Sequence, residues 1–200
     1  MTAGGGDPAL TWLAVIDMQN IFGDRDSDWA TPKFPQIVEP VAQLVRAYAP
    51  NAVFTRFVTP ARPAGAWIPY YADWPKALVP PEDRAWDIVP ELASAQAGTA
   101  GADGRGGTVV ATTFSKWEGR LAELVSPGGT LVLCGVSTDC CVIATALQAA
   151  DAGIHVKVVP EACAGVDDAS HAAALHVMGL FAPLVEVVPL ADALAAAPAR

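Results

Sequence analysis

Short apolar runs rich in β-branched residues recur along this chain, separated by helix-length segments. That alternation restricts the fold more than any other feature of the sequence. The runs are TWLAVID (11–17), NAVFTRFV (51–58), TLVLCGV (130–136) and HVKVVPEA (155–162), with LVEVVPL (184–190) a fifth and GTVVAT (107–112) a shorter sixth. Their hydrophobicity is continuous, the pattern of strands covered on both faces. Between them, FPQIVEPVAQLVRAYA (34–49), EGRLAELV (118–125), CVIATALQAADAG (141–153) and DASHAAALHVMGLFA (168–182) read as helices. Asp168 and Ser170 suit a helix start, and Gly153 suits a helix stop. Ala172, Leu175, Val177, Met178, Leu180 and Phe181 give the last helix a broad apolar face. Strands and helices in this order imply right-handed crossovers and an α/β three-layer sandwich, a mainly parallel sheet with helices on both faces.

Two segments interrupt the rhythm. Residues 60–90 hold Trp67, Tyr70, Tyr71, Trp74 and Trp86 among many prolines and read as a long, apolar loop. Residues 94–107, SAQAGTAGADGRGG, read as a flexible surface loop. A chain of 200 residues, 52% of them hydrophobic, can bury a core without staples, so one domain is expected over 1–200, with flexible ends at 1–10 and 194–200. The net charge is −9 and the basic residues are scattered, which argues against a nucleic-acid partner. No basic segment precedes the first apolar run, and no run reaches bilayer-spanning length. A cytoplasmic protein acting on a small molecule, without a membrane partner, is expected. In that compartment the four cysteines are free thiols rather than a disulfide framework.

Asp17 ends the first apolar run, where a carboxylate entering a buried layer needs a partner. The carboxyl ends of parallel strands form the ligand crevice, so Asp17 is either a general base, a metal ligand or a turn-capping residue. Gln19 and Asn20 read as structural. Three cysteines fall in CGVSTDCCVIATA (134–146), which spans a strand, a turn and a helix start. Cys134 lies within the strand and reads as a small buried hydrophobe, as does Cys163 further on. Adjacent cysteines make no ordinary disulfide, and the spacing is not that of a zinc site. Cys141 begins the helix, where free N–H groups and the helix dipole favour a thiolate; it is the candidate nucleophile, with Cys140 a neighbour.

Three segments, LAVIDMQNIF (13–22), TTFSKWEGRLAEL (112–124) and LVLCGVSTDCCVIATALQAADAGIHVKVVPEACAG (131–165), together resemble the isochorismatase-like cysteine hydrolases. That superfamily includes nicotinamidases, N-carbamoylsarcosine amidases and isochorismatases. The resemblance implies an Asp–Lys–Cys triad, with Asp17 and Cys141 matching its aspartate and nucleophile. It also implies an oxyanion hole from the N–H groups of Ser137 and Cys141 and a cis peptide between Val136 and Ser137. The lysine departs from the pattern. Ala111 stands where the family lysine belongs, and Lys116 follows five residues later. Either Lys116 reaches the site from its loop or the triad is incomplete and Lys116 is a surface residue. Arg56 is a second candidate cation, as a substrate-carboxylate anchor or a structural ion pair.

Nicotinamidases of the family carry an aspartate and several histidines after the second strand, whereas this chain has none of the histidines there. No metal and no cofactor are therefore expected, and His155, His171 and His176 read as packing or surface residues. Trp67, Tyr70, Tyr71 and Trp74 are expected to line or cover a pocket for a flat or apolar acyl group. The leading expectation is a metal-free cysteine hydrolase of a small amide or related C–N bond. Vinyl ether hydrolysis using Asp17, and ligand binding without catalysis, are the alternatives. The resemblance also implies a homo-oligomer, either a dimer or a tetramer.

Overall fold

The computed structural model describes residues 11–99 and 106–198. Its six strands are β1 (Thr11–Ile16), β2 (Ala52–Phe57), β3 (Gly107–Ala111), β4 (Thr130–Val136), β5 (His155–Ala164) and β6 (Val185–Val187). All pair in parallel in the order β3-β2-β1-β4-β5-β6. Every residue of β1 and β4 is buried, as their unbroken apolar runs require of central strands.

The helices are α1 (Asn20–Gly23), α2 (Phe34–Tyr48), α3 (Trp67–Asp73), α4 (Ala93–Ala97), α5 (Gly119–Leu124), α6 (Ile143–Asp151), α7 (Asp168–Gly179) and α8 (Leu190–Ala195). Helix α2 buries Phe34, Ile37, Val41, Leu44, Val45 and Tyr48, a helical stripe laid on β1, β4 and β5. It also meets α4 and α8, whereas α6 packs on β5 and β6 and meets α7. The crossovers run in opposite directions from β1 and β4, so right-handedness puts these two helix groups on opposite faces of the sheet. The expected α/β sandwich is the observed one. No helix among the described residues is long and apolar enough to cross a membrane.

Several local expectations change. The stretch expected as a loop over residues 60–90 contains α3 and 3₁₀ turns at Pro75–Ala77 and Arg84–Trp86, with a third at Pro90–Leu92 beginning at its end. Its many prolines permit single turns but no long helix. The flexible loop expected at 94–107 begins inside α4 and ends in β3; its residues 100–105 lie outside the described residues. The expected flexible tail carries the end of α8. Just before that tail, Ala193 is 1% exposed and its carbonyl accepts the Tyr48 hydroxyl at 2.8 Å, which ties α8 to α2. Residues 1–10 and 199–200 lie outside the described residues.

The helix expected from Cys141 starts instead at Ile143, preceded by a π-helical turn over Thr138–Val142. Gly153 follows α6 at φ 84°, the left-handed stop its position suggests. Helix α7 is capped by Asp167, whose carboxylate accepts the Ser170 N–H at 2.7 Å. It ends at Gly179 and buries only Ala174 and Met178, so Leu180 and Phe181 lie beyond it, exposed.

Candidate active site

The carboxyl ends of β1 and β4 adjoin where the strand order reverses, the position at which open α/β sheets leave a crevice. Asp17 leaves β1 at φ 48°, a left-handed conformation that costs a non-glycine residue on the order of 1–3 kcal/mol. Thr55 of β2 holds it there. The Asp17 N–H donates to Thr55 Oγ1 at 3.1 Å, and the Thr55 hydroxyl donates to Asp17 Oδ1 at 2.6 Å.

Asp17 Oδ2 lies 2.9 Å from Lys116 Nζ, and both side chains are 0% exposed. This contact is an ion pair without hydrogen-bond alignment, so Oδ2 retains a lone pair for a further donor. The ammonium instead donates to the Thr113 carbonyl at 2.8 Å and stands over the Phe57 ring, 4.6 Å from its centroid. The Lys116 N–H donates to Thr145 Oγ1 at 2.9 Å, and the Thr145 hydroxyl donates to the Cys141 carbonyl at 2.7 Å. One α6 hydroxyl therefore joins the backbone of the lysine loop to that of the cysteine turn. Ala111, where the resemblance puts a lysine, is buried at the end of β3 in register with Phe57.

The second half of the site follows β4. Gly135 has φ 109°, and a Cβ there would lie 2.1 Å from the Ile16 carbonyl oxygen, so only glycine lets β4 run this close to β1. The next peptide, Val136–Ser137, is cis. In the π-helical turn the Ser137 carbonyl accepts the N–H groups of Cys140 at 3.0 Å and Val142 at 3.1 Å. Among the described residues the Ser137 N–H donates to no protein acceptor.

Cys141 is 4% exposed. Its hydrogen bond with Cys140 pushes its thiol well above the ordinary range, as do burial and the Asp17 carboxylate, against the pull of Lys116. The same hydrogen bond holds Cys140 below its ordinary value. The helix start was expected to favour a thiolate at Cys141; the Cys140 hydrogen bond, burial and the Asp17 carboxylate act in the opposite direction. Cys134 is buried in β4, and burial raises the Cys163 thiol to about 12, so both behave as core residues.

The Isochorismatase domain model matches residues 11–188 of the chain. The chain belongs to the isochorismatase domain family, a family of hydrolases. No curated protein matches it. Among solved structures it is similar to a cysteine hydrolase from Pseudomonas syringae pv. phaseolicola 1448A, at 18% identity and TM-score 0.78, over 98% of this chain and 95% of that one. It is also similar to a nicotinamidase from Bacillus subtilis, at 20% identity and TM-score 0.70, over 90% of this chain and 99% of the other. A pyrazinamidase/nicotinamidase from Streptococcus mutans UA159 aligns at 24% identity and TM-score 0.68, over 88% and 99% of the two chains. These likenesses concern the fold.

In this family member a cavity of about 210 Å³ opens onto Ser137, Cys140 and Cys141. Phe22, Trp29, Phe57, Tyr70, Trp74 and Phe114 wall it. Of the expected pocket residues, Tyr70 and Trp74 line it, while Trp67 and Tyr71 do not. Trp67 packs behind it against Tyr71 and Phe114, with ring centroids at 5.7 and 5.0 Å. Arg56 does not line it either: Nε donates to the Trp86 carbonyl at 2.7 Å and Nη2 lies 3.5 Å from Asp87. Of its two expected roles, this is the structural ion pair. Gln19 also grips that loop, donating to the Trp86 and Phe57 carbonyls and accepting the Phe57 N–H, all within 2.9 Å. Phe22, Trp29, Phe57 and Phe114 were missed from the sequence, because they are dispersed along the chain and only the fold gathers them.

Among the described residues no three His, Cys, Asp or Glu side chains converge on a point that could hold a metal ion. The residues present therefore do not fit a bound metal, and no step below passes through one. His155 is exposed at the start of β5 and His176 is exposed on α7. His171 is half-buried, and its Nδ1 lies 2.8 Å from Thr138 Oγ1 in the cysteine turn.

Proposed function

We propose that the protein hydrolyses a small amide or related C–N bond, with Cys141 as nucleophile, Asp17 as acid and base, and Lys116 as the cation beside them. The observation that carries this reading is the fully buried Asp17–Lys116 pair at 2.9 Å. A lone carboxylate in that layer would be costly, and a lone ammonium equally so. Paired, they form a dry dipole against which a thiol can ionise.

In the first step the Cys141 thiol proton passes to Asp17 Oδ2 and the sulfur attacks the substrate carbonyl carbon. Charge moves to the carbonyl oxygen, to which the N–H groups of Ser137 and Cys141 donate. The C–N bond breaks as the protonated Asp17 returns its proton to the nitrogen, leaving a thioester on Cys141. Water, losing a proton to Asp17, attacks the thioester, and the thiol is regenerated as the acid departs. Lys116 supplies the counter-charge 2.9 Å from Asp17 Oδ2. Its direct contact with the Thr113 carbonyl fixes the ammonium.

Cys141→Ala is expected to abolish ammonia release from a panel of small amides, and iodoacetamide to inactivate the enzyme with one label on Cys141. Full activity in that variant would sink the nucleophile assignment. The vinyl ether alternative requires activity lost in Asp17→Asn and kept in Cys141→Ser. It is less well supported, because an isochorismate-like dianion would meet no basic side chain in the cavity lining. The non-catalytic alternative rested on a missing lysine, and the buried Lys116 beside Asp17 supports the hydrolase reading over it.

A further inference from the structure

The cavity over Cys141 has an unusual charge and ring pattern. Six aromatic side chains wall it, two carboxylates, Asp28 and Asp139, lie at its edge, and among the described residues no Lys, Arg or His lines it. Lys116, behind the Phe57 ring, is fully buried and already matched by Asp17. Trp29 and Tyr70 both line it, with ring centroids 6.4 Å apart at 45°, and Trp29 is backed by Phe22, stacked at 6.0 Å and 10°. Trp74 adds a third wall. Burial holds the Tyr70 phenol up at about 12, so it stays a neutral ring.

Asp28 stands at the edge of this corner with its side chain 37% exposed. Its partner is Lys76 at 2.9 Å, on a side chain 74% exposed. A surface pair of that kind is worth little and yields readily to a better-buried cation. Asp139 is the weaker contributor, since its Oδ1 already accepts the Val166 N–H at 3.0 Å. Beyond Asp28, Trp29 and Trp74, which both cavities share, lies a larger one of about 850 Å³. It is lined by Asp24, Asp26, Asp83 and Glu91 against Lys76 and Arg84. The potential on that side therefore favours positive charge.

We infer that the substrate carries an alkylated ammonium group, held by Trp29, Tyr70 and Trp74 with Asp28 at the edge, near the amide that Cys141 attacks. Aromatic rings that wall a cavity bind such cations through the ring quadrupole. A strongly hydrated ammonium or a carboxylate would bind there less well. An anionic substrate would meet no Lys, Arg or His among the described residues that line the cavity. The cation class rests on the hydrolase reading only for where the amide lies; the binding corner itself stands on the rings and Asp28.

The test separates the two. Iodoacetamide labelling of Cys141 in the wild-type protein, read by peptide mass spectrometry, is timed with tetramethylammonium chloride or with tert-butanol at equal concentration and ionic strength. Tetramethylammonium is expected to slow labelling at least about tenfold more than its neutral isostere, the ratio one desolvated cation–π contact supplies. Asp28→Asn and Trp29→Leu should each shrink that ratio. Asp28→Asn, at a half-exposed position, guards against misfolding of the tryptophan variant. Equal protection by the two probes, stronger protection by tert-butanol, or none by either overturns the inference. In parallel, trimethylglycine amide should be turned over with a kcat/KM at least about tenfold above that of 3,3-dimethylbutanamide, its uncharged isostere. Protection without turnover of any amide would keep the cation corner and retire the hydrolase reading. Turnover favouring the neutral isostere would do the reverse.

Discussion

Lys116 and Asp17 face each other with both side chains fully buried, and each makes the other tolerable. Removing one therefore exposes the cost of the survivor. Lys116→Met is expected to lower unfolding free energy by about 3–5 kcal/mol in urea denaturation, and the double change with Asp17→Asn to recover part of it. The same pair sets the thiol. Cys140, burial and Asp17 raise Cys141 while Lys116 lowers it. A thiol raised in the folded protein is alkylated only at pH above the ordinary cysteine range of about 8.5. Asp17→Asn should therefore move the alkylation midpoint of Cys141 down and Lys116→Met should move it up. A midpoint that neither variant shifts would show that the carboxylate and the ammonium do not act on the sulfur.

At the scale of elements, the π-helical turn after β4 presents Cys141, and α7 braces it. His171 on α7 meets Thr138 at 2.8 Å, and Asp139 holds the Val166 N–H. A Cβ at Gly165 would lie 2.6 Å from Asp139 Oδ1, so this brace depends on that glycine. Burial first, and Lys33 second, depress the His171 pKa, against the opposite pull of Asp168 and Asp139. The unfolded chain therefore takes up the proton first. Stability from this contact is complete above the unfolded value of about 6.5 and falls as pH drops through the folded value. Thermal melts from about pH 7 down to about pH 5 should lose stability in that window, and His171→Gln should flatten the loss. An unchanged slope in the variant would assign the acid sensitivity elsewhere.

Across the whole molecule, the strand order brings three distant segments to one crevice, and the ammonium could reach it from more than one of them. Ala111 pairs in register with Phe57, whose ring carries the Lys116 ammonium. Paired residues of parallel strands point to the same face of the sheet, so a lysine at 111 would extend toward the same ring. Ala111→Lys in the Lys116→Met background is expected to restore at least about a tenth of the wild-type kcat/KM, whereas Lys116→Met alone should lose about a hundredfold or more. No recovery would show that the backbone position of the lysine matters beyond its charge.

Local pattern alone was enough for much of this. Unbroken apolar runs identified the strands, because a strand covered on both faces has no polar side to interrupt it. Asp17 and Cys141 were legible because each ends an apolar strand or its turn, where a polar residue has few structural uses. The start of the cysteine turn was read as the helix itself, since a π-helical turn leaves no mark on side-chain periodicity. Lys116 could not be placed. Its depth depends on the path of one loop against α6 and the Phe57 ring, contacts between residues far apart in sequence. The cavity wall was misread for the same reason: Trp67, Tyr71 and Arg56 cluster along the chain, but Phe22, Trp29 and Phe114 cluster in space. Residue order determined what each segment is, because propensity and burial pattern are local. The fold alone decided which charges and rings meet, because those meetings are set by strand order.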